Sequence, residues 1–172
     1  KGLRMGHNQV KDHMFLDGLE DAYEEGKLMG SFAEDTAEHY QFSREEQDNF
    51  SIDSLLKAKK ANEDGSFRNE MVELSLLSKK GTKVINKDEQ PFKANIEKIP
   101  QLKPAFRKNG TVTAANSSSI SDGAATVILM KEKTADKKGI KPLAKIVAHA
   151  TNSHEPNWFT TAPIGAINKV LD

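Results

Sequence analysis

Apolar residues in the first third of the chain recur at the intervals of an α-helix. Three stretches have this pattern and are predicted to be helices: 11–25, 32–41 and 44–64. The spacing Ser-x-x-Glu, typical of a capping box, occurs at Ser31 and Glu34 and again at Ser43 and Glu46. We therefore expect the second and third helices to begin at these serines.

Alternating apolar and polar residues predict a β-hairpin in the middle of the chain. The run EMVELSLLS places Val72, Leu74 and Leu76 on one face, and the strand returns after the turn KKGT. These features predict a hairpin across residues 70–86 with the three apolar side chains turned inward. Residues 87–104 contain three prolines and no regular period, which predicts an irregular connection.

The last third of the chain has the pattern of strand, helix, strand and helix. Continuous or alternating apolar runs predict strands at 124–130 and 143–150, in one sheet and joined by a right-handed crossover. Helices are predicted at 131–139 and at 163–171. Because two strands cannot bury both faces of a sheet, we expect this unit to be part of a larger α/β core.

Composition narrows the classes of function. The 172 residues include 25 basic and 25 acidic side chains, so no net field attracts nucleic acid or an anionic membrane. Cysteine is absent, which excludes a disulfide, a Cys-ligated zinc site and a cysteine nucleophile within this chain. The five histidines lack the spacing of metal ligands. No apolar run approaches bilayer length and no secretory pattern opens the chain, so we expect a cytoplasmic protein without bound metal.

A second type of signal comes from residues 110–130, which read GTVTAANSSSISDGAATVILM. Two β-prone runs flank a centre of small and polar residues, in which Asn116 and Asp122 are suited to bonding the backbone of a turn. Such a stretch fits either an exposed strand–turn–strand or the wall of a narrow cleft. The residue types alone favour neither interpretation.

Several motifs together resemble one family. They are GLRMGH, FLDGLEDAY, LMGSFAEDTAEHYQFSREEQDNF, the combination of PAF with GTVTAANSSSISDGAA, and APIGAI. In this order the chain resembles the thiolases, the acetyl-CoA C-acetyltransferases and 3-ketoacyl-CoA thiolases, over essentially all of its 172 residues. The resemblance implies an α/β thiolase-like fold for the parent enzyme. This chain would be an α+β loop domain followed by a β-α-β-α piece of that core.

The resemblance also implies an organisation and an activity. Residues 1–118 would be the coenzyme A-binding loop domain, 119–142 the end of the N-terminal half, and 143–172 the start of the C-terminal half. Thiolases condense two acetyl-CoA molecules, or cleave 3-ketoacyl-CoA, by ping-pong transfer through a cysteine. We expect that cysteine upstream of this segment, and a histidine and second cysteine downstream, so the segment itself would be inactive.

Six residues are candidates for substrate binding because of the resemblance. Ser118 matches the serine that hydrogen-bonds the pantetheine arm of coenzyme A, and Ala114 matches a residue beside it. Leu19 and Met29 match apolar residues around the arm, although each is also suited to an ordinary core. Coenzyme A thioesters would be the substrates, with no further cofactor. The arm GLRMGH lies near tetramer contacts in the family, which predicts a homo-oligomer.

The remaining two candidates lie towards the adenosine end of the ligand. Phe106 matches an aromatic residue near the adenine, where stacking is useful, and is equally suited to a core position. Many thiolases have an arginine where Phe92 stands here, so Lys93 is the candidate for the phosphate charge, without bidentate contact. Leu28 replaces a frequent histidine beside Met29, which removes a polar partner of the ligand.

Two functions of other classes remain open alongside the thiolase. One is a coenzyme A-binding or assembly module without catalysis. The other is a thiolase-like lipid carrier, against which the well-preserved GTVTAANSSS and DGAA motifs argue only mildly.

Overall fold

The computed structural model describes residues 3–172, so Lys1 and Gly2, which opens the GLRMGH arm, lie outside the described residues. The chain forms two compact units, divided between Ser118 and Ser119. Each unit is described by itself below.

Two α-helices form the centre of the first unit, α1 (Met29–His39) and α2 (Arg44–Glu63). At the start of α2 the Ser43 side chain accepts a hydrogen bond from the Glu46 amide, and the Glu46 carboxylate accepts one from the Ser43 amide at 2.8 Å. This is the predicted capping box. The third predicted helix is therefore confirmed, including its first residue.

The capping box predicted at Ser31 and Glu34 is wrong. Helix α1 begins two residues before Ser31, with Leu28 as its N-cap and no side-chain cap. Glu34 is buried and bonds the backbone near Val112 instead of its own helix start. The helix predicted at 32–41 exists, but a tertiary contact replaces the local one.

The helix predicted across residues 11–25 forms only in part. Residues 13–19 are helical, the last five of them as the π-helical turn Phe15–Leu19, which buries no residue. The Asp21 carboxylate accepts hydrogen bonds from the amides of Tyr23 and Glu24, both at 2.7 Å, which competes with helix continuation. Gly18 within the turn and the lack of a burial surface further weaken the helical option.

The predicted hairpin is confirmed, and its predicted inward face is not. Strands β1 (Leu74–Ser78) and β2 (Gly81–Ile85) pair antiparallel, with Leu76 opposite Lys83. Leu74 and Leu76 are 58% and 52% exposed, and the preceding Val72 is 81% exposed. The alternation of the sequence gives the correct strand type, but both faces of this two-stranded ribbon remain accessible to solvent.

The connection from 87 to 104 is more regular than predicted. It contains a short helix α3 (Gln90–Lys93), with Pro91 in its first turn, and a 3-10 helix (Ile96–Gln101). Proline is compatible with a helix start because its missing amide has no partner there. Two of the three prolines are therefore part of short helices, Pro91 at the start of α3 and Pro100 inside the 3-10 helix.

A small core joins α1, α2 and the segments after α3. Its buried members are Phe32, Ala37, Ile99, Val112 and Thr113. The Arg44 guanidinium of α2 donates to Asp48 at 2.7 Å and to the carbonyls of Ile99 and Leu102 at 3.0 Å. One arginine thus fixes the 3-10 helix against α2 and satisfies two backbone acceptors.

The second unit contains helices α4 (Glu132–Lys138) and α5 (Ala162–Leu171). A 3-10 helix (Pro156–Thr161) comes directly before α5. Gly139 ends α4 in the left-handed conformation, with φ of 65°. Both helices agree with the predictions at 131–139 and 163–171. The 3-10 helix was not predicted.

The strands predicted at 124–130 and 143–150 do not form. Neither run has strand hydrogen bonds in the described part of the second unit, so the predicted sheet and its crossover are absent there. Ile128 and Val147 are 83% and 90% exposed. A strand is defined by pairing with a neighbour, and these apolar runs have no such neighbour among residues 3–172.

Candidate functional site

Residues 111–118 form a loop shortly after Phe106. The side chain of Asn116 orders this loop. Its Oδ1 accepts from the Thr113 amide at 2.7 Å, and its Nδ2 donates to the Thr111 carbonyl at 3.0 Å and to Asp48 at 3.2 Å. The predicted turn-holding role of Asn116 is therefore confirmed. Asp122 makes no side-chain hydrogen bond to the described residues, and the same prediction is wrong for it.

Thr113 adds a second set of bonds inside this loop. It is fully buried, its hydroxyl accepts from the Ala115 amide at 3.2 Å, and its carbonyl accepts from the Ser117 hydroxyl at 2.6 Å. The loop is consequently fixed from within, while the side chains of Ala114 and Ser118 remain exposed. Exposed small side chains on a rigid backbone allow close approach of a thin ligand.

The carboxylate of Glu34 holds the start of this loop on helix α1. It accepts from the Thr111 amide at 2.9 Å, from the Val112 amide at 2.9 Å and from the Thr111 hydroxyl at 3.1 Å. Glu34 is only 3% exposed. Gln47 of α2 donates to the same Thr111 hydroxyl at 2.9 Å. Sequence analysis missed this contact because Glu34 also fits a local capping pattern.

The segment around Phe106 is attached to α1 as well. Arg107 pairs with Asp35 and, at 2.9 Å, with Glu38, and the hydrogen bond to Asp35 raises the pKa of the Arg107 guanidinium. The Ala105 amide donates to the Val112 carbonyl at 2.9 Å. Phe106 is thereby held between α1 and the 111–118 loop.

Three of the candidate residues lie near the start of α1. Glu20 and Leu28 form an antiparallel bridge, which places the adjoining Leu19 and Met29 opposite each other. The Phe106 ring packs directly on the backbone of Gly30, where a Cβ would collide with it. Met29 is 43% exposed, so its side chain is free to contact a ligand.

No hydrogen bond or ion pair of the described residues joins Lys93 to these residues. Lys93 lies on α3, is exposed, and pairs with Glu89 at 2.5 Å, which lowers the pKa of the Glu89 carboxyl. The neighbouring Phe92 lies beneath the ammonium of Lys87, 3.6 Å from the ring centroid. The ammonium groups of Lys59 and Lys87 thus both lie near the Phe92 ring.

A separate concavity of about 680 Å³ lies between the end of α2 and the hairpin, lined in part by Asn62, Phe67, Arg68 and Lys87. Charged groups of both signs line it, including Glu63 and Glu73. Among residues 3–172, no cluster of His, Asp or Glu has the arrangement of a metal site. No helix in that range is long and apolar enough to cross a membrane.

Comparison with known proteins relates this geometry to a family. Residues 1–133 match the family model described as "Thiolase, N-terminal domain". The chain is 44% identical over 171 residues to a probable acetyl-CoA acetyltransferase of Dictyostelium discoideum, covering 99% of the chain and 41% of that protein. It is 40% identical over 172 residues to a probable acetyl-CoA acyltransferase of Staphylococcus aureus, covering 99% and 44%.

Solved structures agree in fold over the same range. An acetyl-CoA acetyltransferase of Bacillus anthracis superposes with a TM-score of 0.91 at 38% identity, covering 99% of the chain and 43% of that protein. A thiolase of Ascaris suum, solved in complex with coenzyme A, gives 0.85 at 36%, covering 99% and 44%. The chain therefore spans less than half the length of these relatives. Its fold is thiolase-like α/β, and the chain belongs to the thiolase family.

Proposed function

We propose that this chain supplies the coenzyme A-binding loop domain, and part of the adjoining core, of an acyltransferase. The enzyme condenses two acetyl-CoA molecules to acetoacetyl-CoA and coenzyme A, or cleaves 3-ketoacyl-CoA with coenzyme A. The observation that carries the proposal is the 111–118 loop, held rigid by Asn116 and Glu34 and leaving Ser118 exposed. The Ascaris suum relative solved with coenzyme A supports it.

The chain's own contribution is binding and orientation. Ping-pong acyl transfer needs a thiolate that accepts the acyl group from the thioester and releases coenzyme A. This chain has no cysteine, so the thiolate belongs to another part of the enzyme and the chain alone is inactive. None of its residues is assigned a catalytic role.

Each candidate residue has a proposed place along the ligand. The Ser118 hydroxyl bonds the pantetheine arm, and Ala114 leaves room for it. Leu19 and Met29 contact the arm from the start of α1. Phe106 lies towards the adenine, and Lys93 supplies a positive charge for the phosphates.

The wider organisation belongs to the same proposal. The loop domain comprises residues 1–118, the end of the N-terminal half 119–142, and the start of the C-terminal half 143–172. The complete enzyme is a cytoplasmic homotetramer that uses coenzyme A thioesters as substrates, with no metal or further cofactor. It engages neither nucleic acid nor a membrane surface.

A second candidate, a coenzyme A-binding or assembly module without catalysis, is favoured by one observation, the complete lack of cysteine. A lipid carrier of the same superfamily belongs with it, since neither performs acyl transfer. The binding module and the lipid carrier would have the same binding loop as the thiolase. They differ from the leading proposal because neither would support catalysis in a complete enzyme.

A graft tests this difference. The matched 171 residues of the Dictyostelium discoideum relative are replaced by this chain, and acetoacetyl-CoA formation from acetyl-CoA is followed. The proposal predicts an active, folded graft and an inactive isolated chain. A folded graft that binds coenzyme A without turnover would favour the binding module.

Ser118→Ala in the active graft tests the binding loop. One neutral hydrogen bond to the pantetheine is removed, so kcat/KM for acetyl-CoA is expected to fall about tenfold. Ser54→Ala, at an exposed position in α2, is the matched control and should leave kcat/KM unchanged. Ala114→Phe should fill the space for the arm and lower kcat/KM further. Unchanged kinetics for both Ser118→Ala and Ala114→Phe would contradict the assigned loop.

A further inference from the structure

The position of Glu34 in helix α1 does not explain the surroundings of its side chain. Its carboxylate is almost completely buried, yet no ion pair of the described residues includes it. All its partners are neutral donors, namely the amides of Thr111 and Val112 and the Thr111 hydroxyl. Burying a charge is costly unless several hydrogen bonds stabilise it, so this arrangement holds the loop start tightly.

The position of Glu34 joins the two sides of the proposed binding site. Helix α1 carries Met29 at its first residue and Glu34 five residues later. The amides that Glu34 holds come immediately before the Thr113–Asn116 turn, which in turn determines where Ala114 and Ser118 lie. The distance between Met29 and Ser118 therefore depends on the Glu34 contact.

The backbone around this contact leaves little freedom. A Cβ on Gly110 would collide with the Glu34 carboxylate, so the loop lies directly against the carboxylate. Asn116 ties the other end of the loop to Asp48 of α2. The loop is thus anchored at one end to α1 by Glu34 and at the other to α2 by Asn116.

We propose that Glu34 is a positioning residue for coenzyme A, acting through the amides of Thr111 and Val112 on Ala114 and Ser118. The inference rests on the proposed function. Glu34 does not touch the ligand; it sets the separation between the α1 side and the loop side of the site. Its loss should weaken binding of coenzyme A and spare the chemical step, which occurs on groups outside this chain.

Two substitutions separate this role from general stability. Glu34→Gln keeps the size of the side chain but turns an NH₂ group towards an amide donor, so at least one hydrogen bond is lost and a repulsive contact replaces it. Thr111→Val removes the hydroxyl, and with it the bonds to Glu34 and from Gln47, and leaves both amide contacts with Glu34. Glu45→Gln, on an exposed glutamate of α2, is the matched control.

The test is steady-state thiolysis of acetoacetyl-CoA by the grafted enzyme, with coenzyme A as the varied substrate. Glu34→Gln should raise KM for coenzyme A about tenfold while kcat stays within about twofold. Thr111→Val should raise KM about threefold, and Glu45→Gln should change neither constant. This split between KM and kcat is not expected from a purely structural defect, which lowers the amount of active enzyme and leaves KM unchanged.

A failure of the positioning role of Glu34 and a failure of the proposed function give different experimental results. An unchanged KM in both Glu34→Gln and Thr111→Val, with an active unsubstituted graft, would overturn the positioning role alone. If Glu34→Gln does not fold, the KM of Thr111→Val for coenzyme A tests the positioning role instead, and an unchanged KM would overturn it. An inactive but folded unsubstituted graft would contradict the proposed function itself, and the inference with it.

Discussion

Glu34 and Gly110 illustrate how one residue in this chain depends on another far along the sequence. The carboxylate can reach the amides of Thr111 and Val112 only because position 110 has no Cβ. Neither residue gives a sequence signal of this contact. Glu34 stands at capping-box spacing from Ser31, and Gly110 is simply the first residue of the stretch 110–130.

Gly110→Ala is therefore expected to destabilise the first unit. The added methyl group would overlap a buried carboxylate that has little room to move, and such overpacking costs about 1–3 kcal/mol. Gly18→Ala is the control, since a Cβ there meets open space. Urea denaturation followed by circular dichroism measures both. Equal midpoints for the two variants would contradict the close contact at Gly110.

At the residue scale, the sequence predicted part of the candidate site. Asn116 was identified from its residue type, because short amides commonly bond nearby backbone. The placement of Leu19 opposite Met29 depends on the Glu20–Leu28 bridge, and the packing of Phe106 on Gly30 depends on tertiary structure. Contacts between residues so distant in sequence have no local pattern to read.

At the scale of elements, helix α2 is the one whose two ends are most clearly determined by local interactions. A capping box begins it, and near its end Lys60 pairs with Asp64 at 2.7 Å. The side-chain bond from Lys60, followed by bonds from Ser66, lowers the pKa of Asp64 to about 2 from its ordinary 3.8. Because the folded pKa is lower, the stabilisation is complete above about pH 3.8 and is lost as the pH falls towards 2.

The carboxyl-carbon chemical shift of Asp64 tests this pairing. At about pH 3 the folded protein should show Asp64 mostly ionised, because that pH is above its pKa in the folded state. Lys60→Gln should raise the pKa of Asp64 and so increase its protonated fraction at the same pH, while the bonds from Ser66 remain. Lys57→Gln, which removes a lysine paired with Asp53, should have no effect on Asp64. A protonated Asp64 in the unsubstituted folded protein would contradict the pairing.

Other elements show where local patterns are insufficient. Residues 11–25 have helical apolar spacing, but the Asp21 turn and a lack of packing leave only a short helical segment at 13–19. The runs at 124–130 and 143–150 have strand composition and no pairing partner in the described chain. Helices α2, α4 and α5 were predicted well because their boundary signals are local. These signals are the capping box of α2, the glycine that ends α4 and the proline at the start of α5. Sheet structure requires neighbours that local sequence does not supply.

At the scale of the whole molecule, the second unit exposes much apolar surface. Val127, Ile128 and Leu129 are 79%, 83% and 72% exposed, and Val147 is 90% exposed. Exposed apolar side chains that follow one another in this way at 127–129 are typical of association surfaces. The thiolase relatives, of which this chain spans 41–44%, have further sequence that could cover them.

The isolated chain is therefore expected to self-associate. Sedimentation velocity at micromolar concentration should show species larger than the 19.0 kDa monomer. The double substitution Ile128→Lys and Val147→Lys should shift the distribution towards monomer, because it places charge on the exposed runs. Lys138→Glu, on the polar end of α4, is the control. A single monomer boundary for the unsubstituted chain would contradict the prediction.

The most direct test of the central claim, that the loop around Ser118 binds coenzyme A, is hydrogen exchange of the grafted enzyme with and without this ligand. Exchange should slow in peptides that cover residues 110–118 and the start of α1 at Met29. Residues 65–71, beside the separate concavity, should exchange at the same rate in both states. Slower exchange at 65–71 with no change at 110–118 would contradict the account.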